Sequence, residues 1–194
     1  MTLPSVDEGR HFLSQTAGRR EELRAEADAG ASRLSKKESL ARAAGTDDAT
    51  IVDWLEHLGF SGDSVRVLDL LPLVHVCWAD GRVQEAERKA VLALLDARGI
   101  APDSDACLLV ESLLERRPSE TYLAQTLALM KALVEKSGGE TSDVVDLCSK
   151  VAEASGGLLG FGNRTSDAER ALIRQIAEAL GGGALERFRA RFGA

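Results

Sequence analysis

Five carboxylates stand beside two turns of the sequence, and together they could hold a metal ion. They occur in the stretches WADGRVQEAER and TSDAER, and they are Asp80, Glu85, Glu87, Asp167 and Glu169. Carboxylate oxygens are the ligands that hard cations such as Ca²⁺ and Mg²⁺ take in proteins. The five residues therefore predict a site for Ca²⁺ or Mg²⁺, provided that the fold brings the two stretches together.

The same acidic residues also fit a structural role at the start of a helix. An Asp-Gly pair is a turn signal, because glycine takes positive φ without penalty. Ser166 with Glu169 matches a capping box, in which each side chain bonds to the backbone amide of the other residue. Gln84 with Glu87 matches it poorly, because glutamine is a weak N-cap. The metal interpretation and the capping interpretation both remain open at this point.

Patterns typical of catalysis are missing from the sequence. His11, His57 and His75 are scattered and show no HExxH or other ligand spacing. No nucleophile is paired with a base, and the stretch GGLLGFGNR lacks the Lys-Ser/Thr of a phosphate-binding loop, so it predicts a linker. We therefore expect a protein that is not an enzyme. A metal-dependent hydrolase, the remaining enzyme hypothesis, would need an open metal position and a general base, and the sequence identifies neither.

The charge distribution restricts the kinds of partner. The net charge is -7, with eight Lys/Arg and seven Asp/Glu in residues 1–45 against sixteen and twenty-four in the remainder. An acidic body repels phosphates, so we expect no nucleic-acid binding and a preference for cations or for protein partners.

Cys77, Cys107 and Cys148 lie among apolar neighbours without CxxC spacing, which is typical of reduced core thiols in a cytoplasmic protein. Neither a signal peptide nor a membrane-spanning apolar run is recognisable.

Helical periodicity dominates the chain from about residue 46. Apolar residues recur every three or four positions, as at Ile51, Trp54 and Leu55, and no stretch alternates with period two for long enough to form a strand. Aromatic residues make up only 4%, so aliphatic side chains must fill the core. We predict an all-α compact bundle of about six to eight helices over residues 46–194. Residues 1–45 form a polar N-terminal arm that is helical or partly disordered.

Two core positions allow sharper expectations. Pro72 interrupts an apolar helix, which either kinks there or begins at Asp69 as N-cap with Pro72 in the first turn. His75 lies in the same apolar segment and is expected to be a core imidazole with its hydrogen bonds satisfied rather than a catalytic base.

The sequence repeats itself once at an offset of 82 residues. DGRVQEAERKAVLALL from Asp80 aligns with GNRTSDAERALIRQIA from Gly162, and Ala-Glu-Arg recurs in both copies. Each copy follows a hydrophobic segment and opens a helix, so the pattern predicts two helical hairpins related by a pseudo-twofold axis. A chance match of a short motif is the alternative.

The chain resembles the TerB family of tellurite-resistance proteins over roughly residues 50–190. The resemblance is carried by VHVCWADG and RVQEAER in the first copy of the repeat and by TSDAER in the second copy. The resemblance implies a compact all-helical fold in two pseudo-symmetric halves, an acidic patch suspected of binding metal, and a role in bacterial stress responses. Carried over by position, that patch involves Asp80, Glu87 and Glu169. The second copy has Gly162 and Asn163 where the first has Asp-Gly, so a two-fold set of acidic ligands is incomplete.

The resemblance and the residues together predict a non-enzymatic stress-response module in the cytoplasm. It would bind a divalent metal ion, a protein partner, or both, through the acidic patch, and partners could bring it to the inner membrane. The alternative is a helical adaptor that uses the N-terminal arm and a helix surface without a metal.

Overall fold

The described part of the chain is built from helices. The computed structural model describes residues 6–137, 141–155 and 165–193, and among these residues there is no strand. The helices are α1 (Val6–Ala44), α2 (Ala49–His57), a 3₁₀ helix (Ser64–Leu70), α3 (Leu71–Cys77), α4 (Glu85–Ala97), α5 (Asp105–Glu115), α6 (Glu120–Ser137), α7 (Ser142–Ser155), α8 (Asp167–Leu180) and α9 (Gly182–Phe192). The predicted all-α class is confirmed, and eight of the nine α-helices described follow the arm.

The chain divides into two compact units, Met1–Glu38 and Ser39–Ala194. The division lies a few residues before the boundary at 45–46 that the sequence suggested. The reason is that the end of α1 carries apolar residues of the second unit's core, with Leu40 fully buried and Ala41 and Ala44 packed against it. In the first unit, side chains from residue 18 to residue 38 are exposed apart from partial cover at residues 30 and 37.

The segment around Pro72 changes helix type instead of kinking. Residues 64–70 form the 3₁₀ helix, and α3 then begins at Leu71 with Pro72 in its first turn, where no amide donor is needed. Asp69 is not the N-cap of α3, as one alternative had it. Its carboxylate instead accepts two hydrogen bonds from the Arg98 guanidinium, at 2.8 and 2.7 Å.

Four helices form the pseudo-symmetric centre of the second unit. α4 and α8 begin at Glu85 and Asp167, the offset of 82 residues that the repeat predicts. α3 packs against α7, and each half also packs a helix onto the other, α4 onto α7 and α8 onto α3. This reciprocal packing is what a pseudo-twofold axis requires. It places the two helix N-termini that carry the repeated motif in one region of the molecule.

The three cysteines and His75 are buried in the core, as the sequence predicted, but His75 differs from the prediction in its hydrogen bonding. All three cysteines are free and buried, as expected. His75 is buried as well, with 4% of its surface exposed, but its Nε2 atom has no hydrogen-bond partner among the described residues. The expectation of a satisfied imidazole was therefore wrong. Packing on all sides of α3 leaves no protein acceptor or donor at that nitrogen.

Some sequence predictions concern residues outside the described ranges. They are the linker at residues 156–164 and the departure from the repeat at Gly162 and Asn163. Over the ranges that are described, no helix is both long enough and apolar enough to cross a membrane.

A pair of leucine substitutions tests the packing of α3. Leu73 is fully buried, whereas Leu108 on α5 is 53% exposed. We expect Leu73→Ala to lower the free energy of unfolding by about 2–5 kcal/mol, because it removes buried methyl groups and leaves a cavity. The matched change Leu108→Ala should cost less than about 1 kcal/mol. Urea denaturation measures both, and equal losses would contradict the placement of α3 at the centre of the core.

Candidate functional site

The site is built around the first turns of α4 and α8. In each helix the third residue is a glutamate whose carboxylate turns back to the amide before the helix. Glu87 accepts from the Gln84 amide at 2.7 Å, and Glu169 accepts from the Ser166 amide at 2.6 Å. The Ser166 hydroxyl also accepts from the Glu169 amide at 3.2 Å. The predicted capping box of α8 is confirmed. At α4 the glutamate half of the box is formed as well, since Glu87 caps as Glu169 does, although Gln84 is a weak N-cap.

Both capping glutamates are buried, which the sequence did not indicate. Glu87 is 2% exposed and Glu169 is 1% exposed. Their carboxyl groups are also close enough to act on each other across the two halves of the fold, since Glu169 contributes to the raised pKa of Glu87. Two ionised carboxylates side by side repel each other, so the buried pair favours the protonated form of Glu87. We call Glu87 and Glu169 the dyad, and it joins the two halves.

The electrostatics of the dyad follow from its burial. The pKa of Glu87 is raised to about 7, chiefly by burial, with a further part from the neighbouring Glu169 and Asp80, while the hydrogen bond from the Gln84 amide opposes the shift. The positive ends of the dipoles of α4 and α8 partly offset the cost of negative charge here. Glu87 therefore loses its proton near neutral pH, where a small change in its surroundings changes its charge.

Asp80 and Ser166 form a second link between the halves. The Ser166 hydroxyl donates to Oδ1 of Asp80 at 3.2 Å, while its oxygen caps α8. Asp80 is exposed and lies two residues after Trp78, whose ring nitrogen donates to the Leu113 carbonyl at 2.9 Å. Gly81, with φ of 85°, makes the turn that the Asp-Gly pair predicted. The turn therefore holds the Asp80 carboxylate at the N-terminus of α8.

The structure places the five predicted site residues in two groups. Asp80, Glu87 and Glu169 act on one another, directly or through Ser166. The other two first-turn acids are exposed at the surface. Glu85 pairs with Lys89 along α4, with 3.4 Å between the nitrogen and the oxygen, and Asp167 is exposed on α8. The spacing in sequence could not make this distinction, because every first-turn acid favours the helix dipole.

The donor chemistry of the three grouped carboxylates suits a hard cation, but their present geometry does not converge on one. Across residues 6–137, 141–155 and 165–193, no group of three or more His, Cys, Asp or Glu side chains is arranged to hold a metal ion. Glu87 and Glu169 use oxygens on their own caps, and Asp80 bonds to Ser166. An ion could be held only after the dyad loses its proton and Asp80 leaves Ser166.

Residues that the sequence analysis did not assign to the site also shape it. Cys77, at the end of α3, lies close enough for its thiol to feel the charge of the dyad. Burial chiefly, and then the charges of Glu87, Cys148 and Glu169, raise the pKa of the Cys77 thiol. Ser166 was recognised as a cap but not as the link to Asp80. The recurrence of Ala-Glu-Arg was the one signal in the sequence that paired the two glutamates.

Comparison with known proteins identifies the family. The family model described as "Tellurite resistance protein TerB" matches residues 70–191, which is more than half of the chain. The match begins at the end of the 3₁₀ helix and includes α3, α4, α7 and α8, and so it contains the whole dyad. No curated protein and no solved structure matches the chain.

The raised pKa of Glu87 predicts how stability changes with pH. The protonated form is favoured in the folded state, so Glu87 stabilises the fold fully below its unfolded pKa of about 4.5. That stability is lost as pH rises through the folded pKa of about 7, with a slope of at most about 1.4 kcal/mol per pH unit. We expect Glu87→Gln, which keeps the shape and carries no charge, to remove this part of the slope.

The measurement is urea denaturation of both proteins between pH 4 and pH 8, compared as a difference. Glu85→Gln is the matched control, because Glu85 lies in the same helix turn but is exposed. Its stability should track that of the unmodified protein at every pH. A wild-type slope that is unchanged by Glu87→Gln would show that the dyad does not hold the proton.

The Ser166–Asp80 link predicts an energetic coupling between the two halves. A double-mutant cycle of Ser166→Ala and Asp80→Ala should give a coupling energy of about 0.5–1.5 kcal/mol, the net value typical of one hydrogen bond, since Asp80 is exposed to solvent. Ser104 is the control, since it caps α5 in the same manner through the Cys107 amide. Ser104→Ala and Asp80→Ala should be additive. Additivity in both cycles would mean that the link does not stabilise the fold.

Proposed function

Because this chain belongs to the tellurite-resistance TerB family, we propose that it is a non-enzymatic stress-response module that binds a divalent cation through Asp80, Glu87 and Glu169. The observation that carries the proposal is the meeting of two buried first-turn glutamates, one from each half. Burying two acidic groups side by side is costly, and packing alone would favour apolar residues there. A binding role accounts for that cost.

The proposed ion is Ca²⁺ or Mg²⁺, because the donors are hard oxygens. When bound, the ion would supply the positive charge that lets all three carboxylates be ionised together. The residues of the chain have the remaining tasks. Glu87 gives up its proton to solvent, the backbone caps of Glu87 and Glu169 keep both carboxyl groups oriented, and Asp80 turns from Ser166 towards the pair. Binding and proton release are therefore coupled in this proposal.

The non-enzymatic part of the proposal is supported by the state of the reactive side chains. Burial lowers the pKa of His75 to about 4, with the charges of Glu120 and Arg117 acting in opposite directions, so the imidazole is neutral near pH 7. Burial also raises the pKa of the Cys77 and Cys148 thiols, and neither is a thiolate near neutral pH. Buried groups of this kind are poor bases and nucleophiles.

A protein partner completes the proposed role. The carboxylates of Asp80, Glu85 and Asp167 are exposed around the dyad, and they form an acidic surface that a basic partner could recognise by charge. A bound cation would make the net charge of that surface less negative. We propose that the partner distinguishes the ion-bound surface from the ion-free surface in the cytoplasm, either in solution or at the inner membrane where the partner resides.

The runner-up is an adaptor in which the acids act only as caps and no ion binds. The observation in its favour is that Glu87, Glu169 and Asp80 each have a protein partner already. The two proposals differ in a measurable quantity, which is the heat and the proton release on addition of a cation.

Calorimetry of metal-stripped protein with Ca²⁺, Mg²⁺ and, for comparison, Zn²⁺ tests the proposal. We expect Ca²⁺ or Mg²⁺ to bind with release of about one proton near pH 6.5, detected by repeating the titration in buffers of different ionisation enthalpy. Asp80→Asn, Glu87→Gln and Glu169→Gln should each weaken binding roughly tenfold or more. Trp78 fluorescence in a Trp54→Phe background provides a second readout close to Asp80.

Glu85→Gln and Asp167→Asn are the matched controls. Each removes one first-turn acid outside the dyad, and each should leave the affinity within about twofold, as for an exposed charge screened by solvent. An equal loss in all five variants would favour a diffuse acidic surface over the dyad. No heat and no fluorescence change with any of the ions would contradict the proposal and leave the adaptor.

A further inference from the structure

One face of α1 carries apolar side chains that nothing in its own unit covers. Leu23 is 49% exposed and Leu34 is 65% exposed, and they are two of the three large apolar side chains found exposed in the described ranges. They are eleven residues apart, which is three helical turns, so they lie on the same side. Ala27 and Gly30 lie between them on that side. The spacing of these four residues is that of consecutive core layers in a coiled coil.

Gly30 adds an independent observation. Glycine destabilises the interior of a helix relative to alanine, because it loses more backbone freedom on folding. Its φ is not positive, and a Cβ atom built on it would meet nothing within 4 Å. The chain by itself therefore gives no steric reason for glycine here. Close approach of another helix backbone is a reason.

We propose that this face pairs with the same face of a second copy of the chain, in an antiparallel helix pair. Leu23 then packs against Leu34 of the second copy, and Ala27 packs against Gly30 of the second copy. The two-fold axis lies between residues 28 and 29. Small side chains at the crossing let the backbones approach closely, and the leucines close both ends of the contact.

Charge complementarity favours the antiparallel arrangement over the parallel one. In the antiparallel pair the flanking Glu26 faces Arg33 of the second copy, and symmetry repeats this attraction once. In a parallel pair Arg19 would instead face Arg24 of the second copy, a repulsion that cancels the attraction of Arg33 for Glu38 of the second copy, so the parallel pair has no net gain from these charges. Like charges opposite each other destabilise helix pairs to about the same degree that opposite charges stabilise them.

The length of the contact limits its strength. Arg20 and Lys37 occupy the next core layer at each end and face each other in the pair, so the apolar contact ends there. A contact of four layers buries little surface, and we expect a weak dimer, with a dissociation constant on the order of micromolar to millimolar. The acidic site lies in the other unit of the chain, so the pairing does not depend on the proposed cation binding.

Sedimentation equilibrium of the full chain over a wide concentration range tests the pairing. We expect a reversible monomer–dimer equilibrium that Leu34→Glu abolishes, because it places two charges in the apolar contact. Ala25→Glu is the matched control, since Ala25 is exposed on the opposite side of α1. It should dimerise like the unmodified chain. A monomer at every concentration, or a dimer that survives Leu34→Glu, would overturn the proposal.

Charge reversal tests the direction of the pair. Glu26→Arg alone and Arg33→Glu alone should each weaken the dimer roughly tenfold at low salt, since each creates two like-charge contacts. The double variant should restore the original affinity. Glu21→Arg, on the far side of α1, is the control and should have no effect. A dimer indifferent to Glu26→Arg would overturn the antiparallel arrangement, because a parallel pair has no charge opposite Glu26.

Discussion

The second unit of this protein must accommodate two carboxyl groups that are buried beside each other. An isolated ionised carboxylate is expensive to bury, and a second one beside it adds repulsion. The fold meets the cost in three ways. Each glutamate accepts a bond from the amide preceding its helix, each lies at the positive end of a helix dipole, and the raised pKa of Glu87 favours its uncharged form beside Glu169.

The pseudo-twofold packing makes this arrangement possible. α4 and α8 begin with the same motif, and the crossed packing of α4 on α7 and of α8 on α3 brings their first turns together. The link from Ser166 to Asp80 then fastens the turn after α3 to the start of α8. A short motif used twice therefore gives one site that belongs to both halves, and a change at the site acts on the contact between them.

The sequence predicted more of the fold than of the site. Apolar residues at a period of three to four predicted the helices, because that periodicity is a local signal. The structure shows the caps that start two of them, Asp48 for α2 and Ser104 for α5. Burial of Glu87 and Glu169 was not predictable, since it depends on which helices pack over the first turns. The same holds for His75, whose unpaired nitrogen reflects neighbours distant in sequence. Exposed Glu85 and buried Glu87 differ only in which side of α4 they occupy, and the internal repeat was the one hint that position 87 pairs with position 169.

The most direct test of the account is a titration of the glutamate side-chain carboxyl carbons by NMR in the metal-free protein. The account predicts that the Glu87 carboxyl titrates with a midpoint of about 7, and that this midpoint falls when Glu169→Gln removes the neighbouring acid. Exposed glutamates such as Glu85 serve as internal references in the same spectra. If Glu87 instead titrates at about 4.3, the ordinary value for a glutamate, it carries no proton near neutral pH and the dyad is not the centre of the site.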